Sequence, residues 1–135
     1  MRLKRETEYG LKALTFLAAS PPGSIVPLSN IAQSLDLPQS FLAKIFQKFM
    51  QYGLVKSHRG KSRGYALSKP PSEFSVRVIL ESIEGPKLFD RCVFWNEHCG
   101  DYDPCPLHDH WKEVKKLLVE SLEKETLKDL SLREA

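Results

Sequence analysis

Apolar positions recur with a helical period from the start of the chain. Within residues 2–19, Tyr9, Leu11, Leu14, Phe16, Leu17 and Ala18 share one face, which predicts a first helix. Ser20-Pro21-Pro22-Gly23 stops it. Between Pro27 and Leu37, Ile31, Ala32 and Leu35 predict a short second helix with Ser29 or Asn30 as its N-cap. Asp36-Leu37-Pro38 is a turn, and Pro38 suits the start of a third helix over residues 38–52, closed by Gly53.

The third helix is the most sharply two-faced. Phe41, Leu42, Ile45, Phe46, Phe49 and Met50 form one stripe. The other holds Gln39, Ser40, Lys44, Gln47, Lys48 and Gln51, with no acid among them. A solvated helix face usually mixes both signs. Ser, Gln and Lys are the residue types that reach base edges and phosphates in a major groove.

After Gly53 the period changes. Leu54–His58 and Tyr65–Lys69 read as two strands joined by the basic tip Arg59-Gly60-Lys61-Ser62-Arg63-Gly64. Inserted arginine suits a narrow minor groove. Helix, helix-turn-helix and basic hairpin form the order of a winged helix. Pro70-Pro71 then breaks the chain. Ser72 is the expected cap of a helix over residues 73–84 that buries Phe74, Val76, Val78, Ile79, Leu80 and Ile83, ended by Gly85-Pro86. Residues 86–107 read as a loop. Residues 108–126 read as one long helix whose Trp111, Val114, Leu117, Leu118 and Leu122 suit a partner helix. The expected class is mainly α with a small β-hairpin wing. Residues 1–70 would be the DNA-binding unit, and residues 71–135 a loop with a dimerisation helix.

Composition adds that 41% of residues are hydrophobic and 27% charged, which suits a folded domain rather than a disordered chain. No apolar run of membrane-spanning length and no secretory leader is present, so a cytoplasmic protein with no membrane partner is expected. The net charge of +3 hides a split. Residues 1–69 hold 11 Lys/Arg against 3 Asp/Glu, and residues 70–135 hold 9 against 14. A basic half of +8 joined to an acidic half of −5 fits a nucleic-acid reader with a separate control module.

The loop carries the other candidate chemistry. All three cysteines, Cys92, Cys99 and Cys105, fall within 14 residues, and His108 follows the last by three. Thiolates are soft ligands that suit iron–sulfur clusters, zinc or Cu(I). The absence of paired C-x-x-C knuckles argues against an ordinary structural zinc site. No nucleotide-binding glycine motif, nucleophile elbow or zinc-protease motif is present, and Asp101 and Asp103 have no evident base or nucleophile beside them. An enzyme with a small-molecule substrate is therefore not expected.

Several segments together resemble the IscR/NsrR-type family of iron–sulfur winged-helix transcriptional regulators. They are MRL…TEYGLKAL, LSNIAQSLDLPQSFLAKIFQKF, GLVKSHRG…GYALSK, VILESIEGP, the three cysteines and a final TLKDL. The resemblance implies a homodimer that binds a double-stranded DNA operator, in the repressor mode. It implies a [2Fe–2S] or [4Fe–4S] cluster on Cys92, Cys99 and Cys105, with His108 or Glu8 of the partner's first helix as fourth ligand. His98 and His110 are further options. Arg59 matches the family's groove-reading wing arginine, with Lys61 and Arg63 beside it. Two departures stand out: the first cysteine gap is C-x6-C where the cluster-biogenesis type has C-x5-C, and Ser62 and Arg63 replace small residues in the wing. The sensed signal is open among iron supply, nitric oxide and redox state. The alternatives are a cluster-bearing electron-transfer protein, or a DNA-binding regulator that uses zinc or plain thiols.

Overall fold

The computed structural model describes residues 3–92 and 105–134. Six helices and one hairpin make up the described chain. They are α1 (Arg5–Ala19), α2 (Leu28–Leu35), α3 (Gln39–Gln51), β1 (Val55–His58), β2 (Gly64–Leu67), α4 (Val76–Glu84), α5 (His108–Lys124) and α6 (Leu127–Glu134). Single 3-10 turns at Pro71–Glu73 and Leu88–Asp90 flank α4.

The apolar stripe of α3 sits at the centre. Leu42, Ile45, Phe46 and Phe49 are completely buried, together with Leu14 and Ala13 of α1 and Ile31 of α2. The Phe46 and Phe49 rings meet edge to face at 5.3 Å. Phe74, Ile79, Ile83 and Leu127 complete this core from beyond residue 70, so α4 packs on α1 and α3, and α6 packs on α1. At Gly10 the helices come so close that an added Cβ would lie 2.4 Å from Ile83 Cδ1 and 3.1 Å from Phe49. A smaller cluster of Val76, Leu80, Leu88 and Phe89 gathers Val119 and Leu122 of α5 and Leu130 of α6.

Local chemistry sets the element ends. Asp36 adopts the left-handed conformation (φ 54°) that Asp tolerates better than most residues, and its N–H closes the end of α2. The N-cap of α2 is Pro27, with no side-chain cap, rather than Ser29 or Asn30. The two strands pair antiparallel from Val55↔Leu67 to His58↔Gly64. Val26 adds a third, one-residue rung, exchanging two 2.9 Å hydrogen bonds with Tyr65. A lone rung has no alternation to reveal it in the sequence.

Three expectations change in the second half. The cap of α4 is Ser75, whose Oγ accepts the Val78 N–H at 3.2 Å, because Pro71–Glu73 forms a 3-10 turn instead of joining the helix. Val78 is 41% exposed, since the smaller core takes Val76 and Leu80 from the other side of α4. The helix expected over residues 108–126 is α5, ending at Lys124, but it is not the last: a short α6 follows it where none is expected. Val76 N–H bonds to Glu125 O, and Leu127 N–H to Phe74 O, so the backbone leaves the helix at Glu125 to pair with the start of α4. Thr126 and Asp129 then restart it as a reciprocal cap: Asp129 Oδ2 accepts the Thr126 N–H at 2.9 Å, and Thr126 Oγ1 accepts the Asp129 N–H at 3.2 Å.

Two predictions follow from these contacts. A Cβ on Gly64, at φ +150°, would lie 2.4 Å from the Val26 carbonyl oxygen, which is backbone and cannot rotate away. Gly64→Ala should lower stability by about 2–3 kcal/mol, seen as a lower urea midpoint with an unchanged slope. The second concerns pH. The Thr126 N–H, then its hydroxyl, hold the Asp129 carboxyl below its ordinary 3.8. A depressed native pKa gives a contribution that is full above the unfolded value and lost as pH falls through the native one. Acid should therefore loosen α6 only below about pH 4, and Thr126→Ala, which removes the hydroxyl but keeps the N–H, should raise the Asp129 titration only part of the way toward its ordinary value by carboxyl NMR.

Candidate nucleic-acid interface and cysteine pair

The polar edge of α3 faces outward. Gln39, Ser40, Lys44 and Gln47 are all exposed, because the opposite stripe is committed to the core. The N-termini of α2 and α3 and the turn end of the hairpin line a cleft of about 560 Å³. Gln39, Ser29, His58, Arg59 and Arg63 line it, so one α3 residue and two wing arginines meet across a single depression. Lys61 is exposed at the hairpin turn. The concentration of cations without a carboxylate lining the cleft suits a polyanion.

Lys48 stands apart from this set. Its Nζ lies 2.9 Å from Glu6 Oε2 of α1 and 3.4 Å from the Ile83 carbonyl of α4. The side chain is half-buried and turned toward the helix packing. A pair exposed to this degree is worth about 1 kcal/mol at most. Its effect is on direction: the Lys48 charge is shared with Glu6. Nothing local to either segment shows a partner 42 positions away.

The second site lies where the chain enters and leaves the cysteine loop. Cys92 follows the 3-10 turn anchored by buried Leu88 and Phe89, and Cys105 precedes α5. Both are buried, and their sulfurs are 3.6 Å apart. Two thiolates on one tetrahedral ion at about 2.3 Å each would be separated by about 3.8 Å. The pair therefore fits a soft metal centre. His108, the first residue of α5, is also buried, and its N–H donates to the Cys105 carbonyl at 3.0 Å. Cys99, His98, Asp101 and Asp103 lie outside the described residues. Among the described residues, no group of three His, Cys, Asp or Glu side chains is gathered for a metal. His110 is exposed. Glu8 is exposed on α1, where a 2.9 Å hydrogen bond from Lys12, then the Lys12 charge, hold its carboxyl below its ordinary value.

Comparison with known proteins agrees with this layout. The structure of CymR (YrzC), described as the global cysteine regulator of B. subtilis, superposes with a TM-score of 0.83 at 27% identity, covering 98% of each chain. T. potens IscR superposes with a TM-score of 0.77 at 26% identity, covering all of this chain and 89% of its own. Among sequences, a helix-turn-helix-type transcriptional regulator of Mycobacterium tuberculosis is 30% identical over 131 residues, 97% of this chain and 81% of the relative. IscR of Pectobacterium carotovorum is 28% identical over 130 residues, 96% of this chain and 79% of its own. The fold and its outward cationic edge are those of a winged-helix, DNA-binding transcriptional regulator. The sequence model of the Rrf2 family, described as an iron-dependent transcriptional regulator, matches residues 3–132, and the chain belongs to that family. No helix among the described residues is long and apolar enough to cross a membrane.

Proposed function

We propose that the chain acts as a homodimeric, cytoplasmic repressor whose operator affinity is set by an iron–sulfur cluster held on Cys92, Cys99 and Cys105. The observation that carries this reading is the buried Cys92–Cys105 sulfur pair at 3.6 Å, at the foot of α5. The bound cluster supplies reversible chemistry toward iron supply, nitric oxide or redox change. His108 or the partner's Glu8 is the fourth ligand. His108 has the support of burial beside the pair, whereas Glu8 is solvent-facing and held by Lys12 within its own chain. Support for dimerisation comes from α5, where Val114 and Leu117 are 54% and 68% exposed on neighbouring turns. Such a ridge suits a second copy of the same helix.

DNA is read by Gln39, Ser40, Lys44 and Gln47 from α3, and by Arg59, Lys61 and Arg63 from the wing. Lys48 acts mainly within the fold, through Glu6. Coupling between cluster and operator of about 1–3 kcal/mol would give a 5–150-fold switch. A second reading has specific support: thiols 3.6 Å apart could close into a disulfide, and CymR, which the chain resembles, is described as a cysteine regulator. Oxidation by a peroxide or disulfide would then replace cluster loss as the signal.

Two experiments decide between these. Anaerobically purified protein should be brown, with iron and acid-labile sulfide, and Cys92→Ala or Cys105→Ala should each bleach it while leaving the helical circular dichroism intact. A colourless protein carrying zinc, or no metal, sinks the cluster reading. On the DNA side, Lys44→Ala should reduce the salt slope of operator binding by about one, and Lys48→Ala by much less. Arg59→Ala should weaken operator binding by about 1–3 kcal/mol and random DNA by less. Equal slopes for the two lysine variants would place Lys48 on the phosphates after all.

A further inference from the structure

The last turn of α4 holds a buried charge that neither site accounts for. Glu84 is 4% exposed. Its Oε2 accepts the Lys4 backbone N–H at 2.6 Å and the Thr7 hydroxyl. Lys4 is the N-cap of α1 and brings no side-chain cap of its own, so α1 is capped from α4. A carboxylate at a helix N-terminus is favoured by the helix dipole and by the unsatisfied N–H groups there.

The other side of Glu84 belongs to Arg91. The guanidinium donates through Nη2 to the Glu84 carbonyl at 2.8 Å, and Nη1 lies 3.7 Å from Oε1. Among the described residues, buried Oε1 finds no hydrogen-bond partner. A buried carboxylate oxygen left in this way is unfavourable, and a small turn of the planar Arg91 fork would satisfy it. One residue earlier, the Ile83 carbonyl accepts from Lys48 of α3, which also pairs with Glu6 of α1. Arg91 precedes Cys92 directly. Within this short stretch the entrance of the cysteine loop, the end of α4, the start of α1 and the flank of α3 are joined by charged hydrogen bonds.

We infer that Arg91 and Glu84 are positioning residues of the switch: they carry a change at Cys92 to α1 and the recognition helix. This rests on the cluster reading above. Filling, losing or oxidising the cysteine site moves the backbone at Cys92, and the adjacent Arg91 moves with it. The planar guanidinium fork relays position rather than a proton. Its fork then shifts between the Glu84 carbonyl and Oε1. The hold of Glu84 on the α1 N-terminus changes, and Glu6 and Lys48 pass the change to α3. Two discrete arrangements of one ion pair provide the bistable element that coupling between distant sites requires.

The test uses the full chain. Operator affinity is measured for anaerobic holo protein and for chelator-treated apo protein, with the visible spectrum and thermal midpoint recorded for each. Arg91→Gln should keep the chromophore but reduce the holo-to-apo affinity ratio from the wild-type switch to within about twofold. Arg91→Lys, which keeps the charge without the fork, should retain part of the ratio. Glu84→Gln should abolish the ratio as well, and Arg91→Gln carries the test if that variant fails to fold. Thr126→Ala, which weakens the distant cap of α6, should lower the thermal midpoint and leave the ratio untouched. An Arg91→Gln protein with chromophore and full wild-type ratio overturns the inference alone. Loss of the chromophore in that variant also overturns it, by placing Arg91 at the cluster rather than in the coupling. A wild-type ratio of one overturns the regulatory reading and this inference with it.

Discussion

The packing of α3 constrains everything else in this molecule. A helix of 13 residues has to bury one edge to be held and leave the other clear to be read. Leu42, Ile45, Phe46 and Phe49 use the buried edge fully. Isolated helices of this length are marginal in water, so tertiary burial has to hold α3. Removing either phenylalanine ring would cost about 3–5 kcal/mol, a large part of the stability of a domain this size. Because α1, α2 and α4 all meet that edge, any movement of α4 or α1 is also a movement of the exposed cationic edge of α3.

This sharing also explains the electrostatics. The outward edge of α3 and the hairpin hold cations with no acid between them, and their mutual repulsion is tolerable because they are solvated. Lys48, one step around the helix, reaches the interface with α1 and α4, where a lone ammonium would be unfavourable. Glu6 and the Ile83 carbonyl meet it there. The basic half of the chain is thus two populations of charge. One is free to find an anionic partner; the other is already answered from within.

Much of this was legible in the chain itself. The central apolar positions of α3, the turn at Asp36 and the hairpin around its basic tip all depend on periodicity or turn chemistry within a few residues, and the structure has them, although Met50 of the apolar stripe is exposed and Lys48 of the polar stripe turns inward. Legibility ended where distant backbone decides. The end of α5 falls near residue 126 as expected, but the short α6 beyond it lies outside the expectation, because it is set by pairing of Glu125 and Leu127 with Val76 and Phe74, far away in the chain. Ser75 rather than Ser72 caps α4 for a local reason, since Pro71–Glu73 closes its own 3-10 turn first. The candidate site divides in the same way. Clustered cysteines show in the sequence, and so does a cationic edge. The orientation of Lys48 and the capping of α1 by Glu84 do not, because each joins segments tens of residues apart.

The joining of those segments ties the cysteine pair to the helices of the winged-helix half. The core is close-packed and transmits displacement rather than absorbing it. Gly10 leaves no slack between α1 and the α3–α4 pair, since even a methyl group would meet Ile83. A shift of α1 at its N-terminus therefore has to be shared by its neighbours. The smaller core, from Val76 to Phe89, ties α4 to α5 in the same manner, and Arg77 reinforces it by pairing with Glu81 of its own helix and Glu123 of α5 while lying over the Phe89 ring. The cysteine pair sits between these two connections, with Cys92 at the end of one and Cys105 at the start of α5. Cys92 leads back to α4 through buried Leu88 and Phe89, Cys105 leads into α5, and α4 packs directly on α3, so the pair is joined to the α3 packing from both sides.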